Sequence, residues 1–287
     1  MDLQIHGQAN ASLPAAYRQV LVSWSVQGGL NPPVITHAKG CHFHDTNGKA
    51  YLDMTSGYVA VPLGHGHPKV VRAIQQQAER LCWVASSYFN DVRAEYAELL
   101  NRISPWSEGL RVHFASGGGE ANDDAVKIAR LVTRRPKVLT AYRSYHGSTI
   151  GGSALTGVDR WRDPLPNLPG MVKFFTPYPY RSPFHTREPA EESRRALQHL
   201  EQVLSHEGAH NVAAIVLEPM TGSSGMVIYP EGYLRGVRAL CDRHGILLVY
   251  DEVMTGFGRT GAAFAATRLG VLPDLMSFAK GASSSYT

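Results

Sequence analysis

The run ILLVYDEV, Ile246 to Val253, decides how this chain folds. Its unbroken apolar half, Ile246 to Tyr250, predicts a strand buried on both faces. Two carboxylates follow at once, Asp251 and Glu252. A charge at the mouth of a buried strand is costly unless a cation or hydrogen-bond donor meets it. An Asp that merely caps the next turn reads the same way. Working outward, Val212 to Leu217 is a second unbroken apolar run. Between the two, Glu231 to His244 sets Leu234, Val237, Arg238 and Cys241 at helical spacing. Further upstream, Val112 to Ala115, Lys137 to Tyr142 and Val172 to Thr176 predict strands, and Glu120 to Val132 and Pro189 to His206 predict helices. Leu275 to Ala279 predicts the last strand. Strands alternating with helices, the strands continuously apolar, predict an α/β fold with a mostly parallel sheet.

The front of the chain follows a different pattern. Val34 to His44 and Lys49 to Met54 predict a hairpin joined by Asp45-Thr46-Asn47-Gly48, where Asn-Gly supplies the turn. A helix is expected over Pro68 to Leu81. Residues 1–65 are expected to form a lobe beside the sheet and residues 66–287 the sheet domain itself. Thr156 to Arg187, rich in Pro, Arg and aromatics, is expected to be a long structured loop. Internal repeats and low-complexity tracts are absent from the sequence.

With 287 residues, 44% of them hydrophobic and a net charge of +4, the chain has material for a sizeable core. No basic tract is dense enough for nucleic acid or an anionic membrane surface. Cys41, Cys82 and Cys241 are too scattered for a zinc site or a disulfide framework, which points to reduced thiols and a cytoplasmic setting. No secretory signal opens the chain, and no apolar stretch is long enough to span a bilayer.

Four clusters carry chemistry. Ser116-Gly117-Gly118-Gly119-Glu120-Ala121-Asn122 sits between a predicted strand and a predicted helix. Glycines there let backbone approach a ligand, and the helix start offers free N–H groups to an anion such as phosphate. A plain glycine-rich turn has the same look, and the run lacks both the dinucleotide fingerprint and a Walker lysine. Arg143-Ser144-Tyr145-His146-Gly147 puts an aromatic after the next strand, to cover a planar ligand or to pack under a loop. Asp251-Glu252-Val253 forms the third cluster. The fourth is Lys280, delivered by an apolar strand between small neighbours, although most lysines are solvated surface residues. A desolvated amine loses basicity and becomes a nucleophile toward an aldehyde. A phosphate cradle, an aromatic, a carboxylate and a lysine at the C-terminal ends of parallel strands form the set that a pyridine-aldehyde phosphate needs.

With those residues in place, the sequence resembles the class III aminotransferases of the fold type I pyridoxal-phosphate family. The match runs through Gly64-His65-Gly66-His67-Pro68, Gly117 to Asn122, Tyr145-His146-Gly147, Glu218-Pro219, Asp251 to Gly261, Pro273-Asp274 and Ala279-Lys280-Gly281. Arg143 to Gly147 and Met254 look most like the taurine–pyruvate and ω-amino acid–pyruvate branch. The resemblance implies a large domain with a mostly parallel sheet and the N-terminal part of a small α+β domain. It implies pyridoxal 5'-phosphate as cofactor, a small-molecule amino donor, a 2-oxo acid acceptor such as pyruvate, and a homodimer. Lys280 is then the Schiff-base lysine and proton carrier, and Asp251 the partner of the pyridine nitrogen. Tyr145 and Val253 flank the ring, while Gly117 and Gly118 face the phosphate. His146 and Glu218 support the cofactor, and Tyr58 and Phe89 line the substrate pocket. His65 and His67, which could pass for a metal pair, shape a loop, and no metal is expected.

Two departures from the family pattern stand out. Gly118 occupies a position where relatives often carry a hydroxyl. Relatives also run on by about 150 residues after the lysine, on the scale of one further domain. The resemblance therefore implies a C-terminally truncated chain. The strand after the lysine, half of the small domain, a phosphate-reaching Thr and a carboxylate-gripping Arg are then absent. The competing expectation is an inactive remnant, or a cofactor-binding partner of a full-length relative. A third is another pyridoxal-phosphate reaction on the same scaffold.

Overall fold

In the computed structural model, residues 17, 19–26, 31–159 and 167–286 are described. An antiparallel three-stranded sheet comprises β1 (Ile35–Lys39), β2 (His42–Asp45) and β3 (Ala50–Leu52). The expected Asn47-Gly48 turn joins β2 to β3, held by Asp45 Oδ1, which accepts from the Asn47 and Lys49 amides at 2.9 and 3.0 Å. The first expected strand is split in two. Gly40, at φ 60°, reverses the chain after Lys39, so a single hairpin becomes a meander.

A tight turn, α1 (Ser56–Val59), leads to α2 (Pro68–Arg80) and α3 (Asp91–Ile103). The sequence reading passed over α3, although its start is signalled by Asn90, whose side chain accepts from the Arg93 amide. The main body follows as α4 (Gly118–Thr133), β4 (Lys137–Ala141), α5 (Ile150–Leu155), β5 (Met171–Phe174), α6 (Pro189–Glu207), β6 (Val212–Leu217), α7 (Tyr233–His244), β7 (Leu247–Asp251), α8 (Ala265–Leu269), β8 (Leu275–Ser277) and α9 (Lys280–Ser283). The strands form one sheet in the order β5-β4-β6-β7-β8, every pair parallel.

Strand alternation builds a core on each face. Leu139, Ile215, Leu217, Leu248 and Tyr250 point toward α6 and α7, where Leu200, Leu204, Tyr233 and Val237 meet them. Val138, Ala214, Val216 and Val249 point the other way, toward Ala125, Val126 and Ala129 of α4 and Leu155 of α5. The α/β reading and the mostly parallel sheet hold.

One expected strand does not form. Residues 112–115 carry no strand and pair with none. A strand exists only through a partner's backbone groups. Here a groove of about 810 Å³ runs between this segment and β8, lined by Val112, Phe114, Leu275 and Met276 among others. β8 is also shorter than expected. It ends at Ser277, so Lys280 opens α9 instead of following directly on a strand.

Candidate functional site

Register sets the site. Leu217 pairs with Tyr250 and Asp251 pairs with Ser277, so Glu218, Asp251 and Ser277 emerge side by side at the C-terminal edge of the sheet. Ligands of open parallel sheets bind at that edge.

Asp251 is buried, and its partners justify the burial. Oδ2 accepts from His146 Nδ1 at 2.7 Å and from Asn122 Nδ2 at 2.8 Å, and Oδ1 from the Val253 amide at 3.0 Å. Asn122 also donates to the His146 carbonyl at 2.9 Å and accepts from the Ser277 hydroxyl. One amide on α4 therefore ties together the loop after β4 and the ends of β7 and β8. His146 is buried, and its Nε2 has no hydrogen-bond partner. Asn122 was read from sequence only as part of a glycine-rich motif. Its role shows once α4 lies across the strand ends.

Glycines govern the approach at the N-terminus of α4. Gly117 is the N-cap and supplies no capping side chain. A Cβ at Gly118 would lie 2.8 Å from Val253 Cγ2, so a β-branched side chain closes this position. Glu120 Oε2 accepts from the Ser116 amide at 2.6 Å. The sixteen-residue helix thus presents an open N-terminus beside Val253.

Lys280 is half-buried. Desolvation lowers its basicity first, Arg259 lowers it further, and Asp251 and Glu218 pull the other way. The Lys280 amine donates to the Tyr58 carbonyl at 3.0 Å. Arg259 donates to the Met254 and Val59 carbonyls at 2.6 and 2.8 Å. The α1 turn, left-handed from Ser56 to Val59, is therefore pinned over the amine by its own carbonyls. Phe257, Phe264 and Phe278 hold the Lys280 segment from behind, with centroids 5.4 to 5.7 Å apart.

Glu218 is buried. Its Oε1 accepts from the Tyr145 amide at 3.0 Å and its Oε2 from the Gly222 amide at 2.8 Å. Burial pushes its carboxyl up to about 7. The Tyr145 ring stands edge-on to Trp24 at 6.1 Å, and Tyr58 meets the same indole at the same distance. No sequence signal marked Trp24, because an aromatic outside any periodic element carries no register. The Phe89 side chain is fully exposed. His65 bonds Asp53 Oδ2 at 2.8 Å, and its backbone pairs with Gly40, which is a loop-shaping role. Among the described residues, no group of three His, Cys, Asp or Glu is placed to hold a metal ion. No helix there is long and apolar enough to cross a membrane.

The arrangement combines an amine of lowered basicity, a buried carboxylate oriented by an imidazole and an amide, and an open helix N-terminus. It can engage a carbonyl compound that carries both a cationic and an anionic group. The family model for class-III aminotransferases matches residues 25–287. Acetylornithine aminotransferase of Methanosarcina acetivorans is 39% identical over 252 residues, covering 88% of this chain and 58% of that protein. The solved taurine:2-oxoglutarate aminotransferase of Bifidobacterium kashiwanohense, in complex with PLP and glutamate, is 41% identical, with a TM-score of 0.87. It covers 92% of this chain and 60% of its own. An (S)-enantioselective ω-transaminase of Thermomicrobium roseum is 36% identical, with a TM-score of 0.83. The chain spans about three fifths of the length of these relatives. By sequence and fold, the chain belongs to the class-III aminotransferases, a family that depends on pyridoxal phosphate.

Proposed function

We propose that this chain serves a pyridoxal-phosphate-dependent transamination from an amine or ω-amino acid to a 2-oxo acid such as pyruvate. The observation that carries the reading is Asp251, buried and oriented by His146 and Asn122 on the same sheet edge as the half-buried Lys280 amine. The residues fit the cofactor. The open N-terminus of α4 suits a phosphate, the Asp251 carboxylate suits a protonated ring nitrogen, and a less basic amine suits an aldehyde carbon. When bound, pyridoxal phosphate supplies that aldehyde and an electron-withdrawing ring.

In this reading Lys280 Nζ holds the cofactor and later moves the proton at the substrate carbon that bears the amino group. Asp251 keeps the proton on the pyridine nitrogen, with His146 and Asn122 fixing its orientation. Tyr145 and Val253 bound the two ring faces. Gly117 and Gly118 offer amides to the phosphate, Glu218 supports the loops, and Tyr58 and Phe89 line the donor's pocket, Phe89 from the exposed position it holds. Residues 1–65 are the N-terminal segment of a small domain and 66–287 belong to the large one. The working form is a cytoplasmic homodimer.

The test is cofactor capture. The purified chain is mixed with pyridoxal phosphate, desalted, scanned for near-visible absorbance and treated with borohydride. The label should map to Lys280 and be lost in Lys280→Ala. A label on another lysine sinks the assignment. One relative favours a second reading. The leucine/methionine racemase of Thermococcus litoralis is 39% identical, covering 87% of this chain and 56% of that protein. Racemisation returns the proton to the substrate carbon from the opposite face. Loss of substrate chirality in the absence of any 2-oxo acid would separate it from transamination.

A further inference from the structure

Glu218 joins two loops through backbone donors. One oxygen accepts from the Tyr145 amide after β4, and the other from the Gly222 amide after β6. The charged and titratable groups around it come from four directions. Asp251 faces it from β7, His146 from the loop after β4, Lys280 from the start of α9 and the Tyr229 phenol from the segment before α7. An ionised carboxylate accepts from two N–H groups at once. A neutral carboxylic acid keeps one strong acceptor, its carbonyl oxygen, while its hydroxyl oxygen accepts only weakly and carries a proton that must point elsewhere, so one of the two amide bonds is weakened.

We propose that Glu218 is a charge-sensitive clamp on this site: ionised, it holds the Tyr145 and Gly222 backbones together beside Asp251, and protonated, it releases one of them. Its consequence rests on the pyridoxal-phosphate reading, because the released segment carries the aromatic that bounds the cofactor ring. Its geometry does not. Tyr145 and His146 are neighbours, so a loosened Tyr145 backbone also loosens the imidazole that orients Asp251. The clamp is a positioning device and touches no reacting atom. Burial pushes the Glu218 carboxyl up to about 7, Asp251 adding to the effect and His146 opposing it, so release falls in the neutral range. Of the site's carboxylates, Glu218 alone bridges two loops by backbone donors on both oxygens. Asp251 spends its own on a side-chain imidazole, a side-chain amide and its own turn.

The experiment reads the clamp without the cofactor. The 287-residue chain is labelled with [15N]tyrosine, and the Tyr145 amide is assigned by its loss in Tyr145→Phe. Its resonance should move downfield as pH rises from mildly acid to mildly alkaline, with a midpoint near the value given for Glu218, and should stay still in Glu218→Gln. A wild-type resonance that does not move overturns the proposal. So does a movement that persists unchanged in Glu218→Gln. If that variant fails to fold, His146→Asn supplies the control: a midpoint that survives it belongs to Glu218, and one that vanishes belongs to His146 and overturns the clamp. The titration is repeated with pyridoxal phosphate bound, following its absorbance, whose midpoint should track that of the amide. A wild-type chain that retains no pyridoxal phosphate counts against the proposed function, while the amide titration still decides the clamp.

Discussion

At the scale of single residues, Asp251 and Glu218 show how neighbouring carboxylates at one sheet edge acquire different characters. Asp251 accepts from a side-chain imidazole and amide, and Glu218 only from backbone. The raised Glu218 carboxyl has a thermodynamic consequence. The folded chain keeps its proton up to about 7, while the unfolded chain loses it near 4.5. Between those values the native state binds more protons, so this group's contribution to stability falls as pH rises through the window and levels off above it. The total is on the order of 3 kcal/mol. Because Gln mimics the protonated acid, denaturant melts of the wild type and Glu218→Gln should agree most closely at acid pH and diverge as pH rises, the wild type losing stability relative to the variant. Parallel curves would mean the carboxyl is not raised. The sequence made Asp251 legible because it ends an apolar run. Glu218 ends one as well, but nothing in one dimension says which backbone amides a carboxylate will meet.

Among the elements, the fold was most legible where the apolar pattern was longest. β6 matches its expected bounds, and α4, α6 and α7 fall within two or three residues of theirs. Short or partnerless elements were not legible. The stretch 112–115 has strand-like residues but no ladder, and α5, with two glycines in six residues, offers little periodicity. The approach of the loop after β4 to the start of α4 is another contact that sequence hides. Gly147 sits at φ 123°, and a Cβ there would lie 2.5 Å from the Gly119 Cα. Backbone against backbone cannot yield as a flexible side chain does. Gly147→Ala is expected to cost more than the ~1 kcal/mol of an ordinary glycine replacement at positive φ, measured by urea denaturation. A loss within a few tenths of a kcal/mol would show that the two loops part freely.

For the whole molecule, a groove of about 810 Å³ opens beside β8. β8 ends the sheet, residues 112–115 lie across from it, and the walls carry Leu110, Val112, Phe114, Leu275 and Met276. Apolar concavities flanked by unpaired strand backbone attract apolar ligands and other strands. The folded chain is expected to bind an environment-sensitive apolar dye here. Phe114→Asp, at a half-exposed position on the groove wall, should weaken that binding at least several-fold while leaving the melting transition in place. Equal dye binding by the variant would put the dye elsewhere. The sequence placed both walls among its strand predictions but not the space between them, because spacing between non-neighbouring segments is set by the sheet as a whole.

The hydrogen bond from Lys280 to Tyr58 uses the carbonyl of Tyr58, not its phenol. The resting position of the amine is therefore written into the main chain and is indifferent to the side chain at position 58. That separates two properties an engineer usually has to trade against each other. Position 58 can be randomised to reshape what the site admits while the nucleophile keeps its address. The most compatible replacements are residues at ease with a left-handed backbone, Asn, Asp and Gly, since Tyr58 sits at φ 59°. A library built there would explore substrate range with the reactive nitrogen held constant.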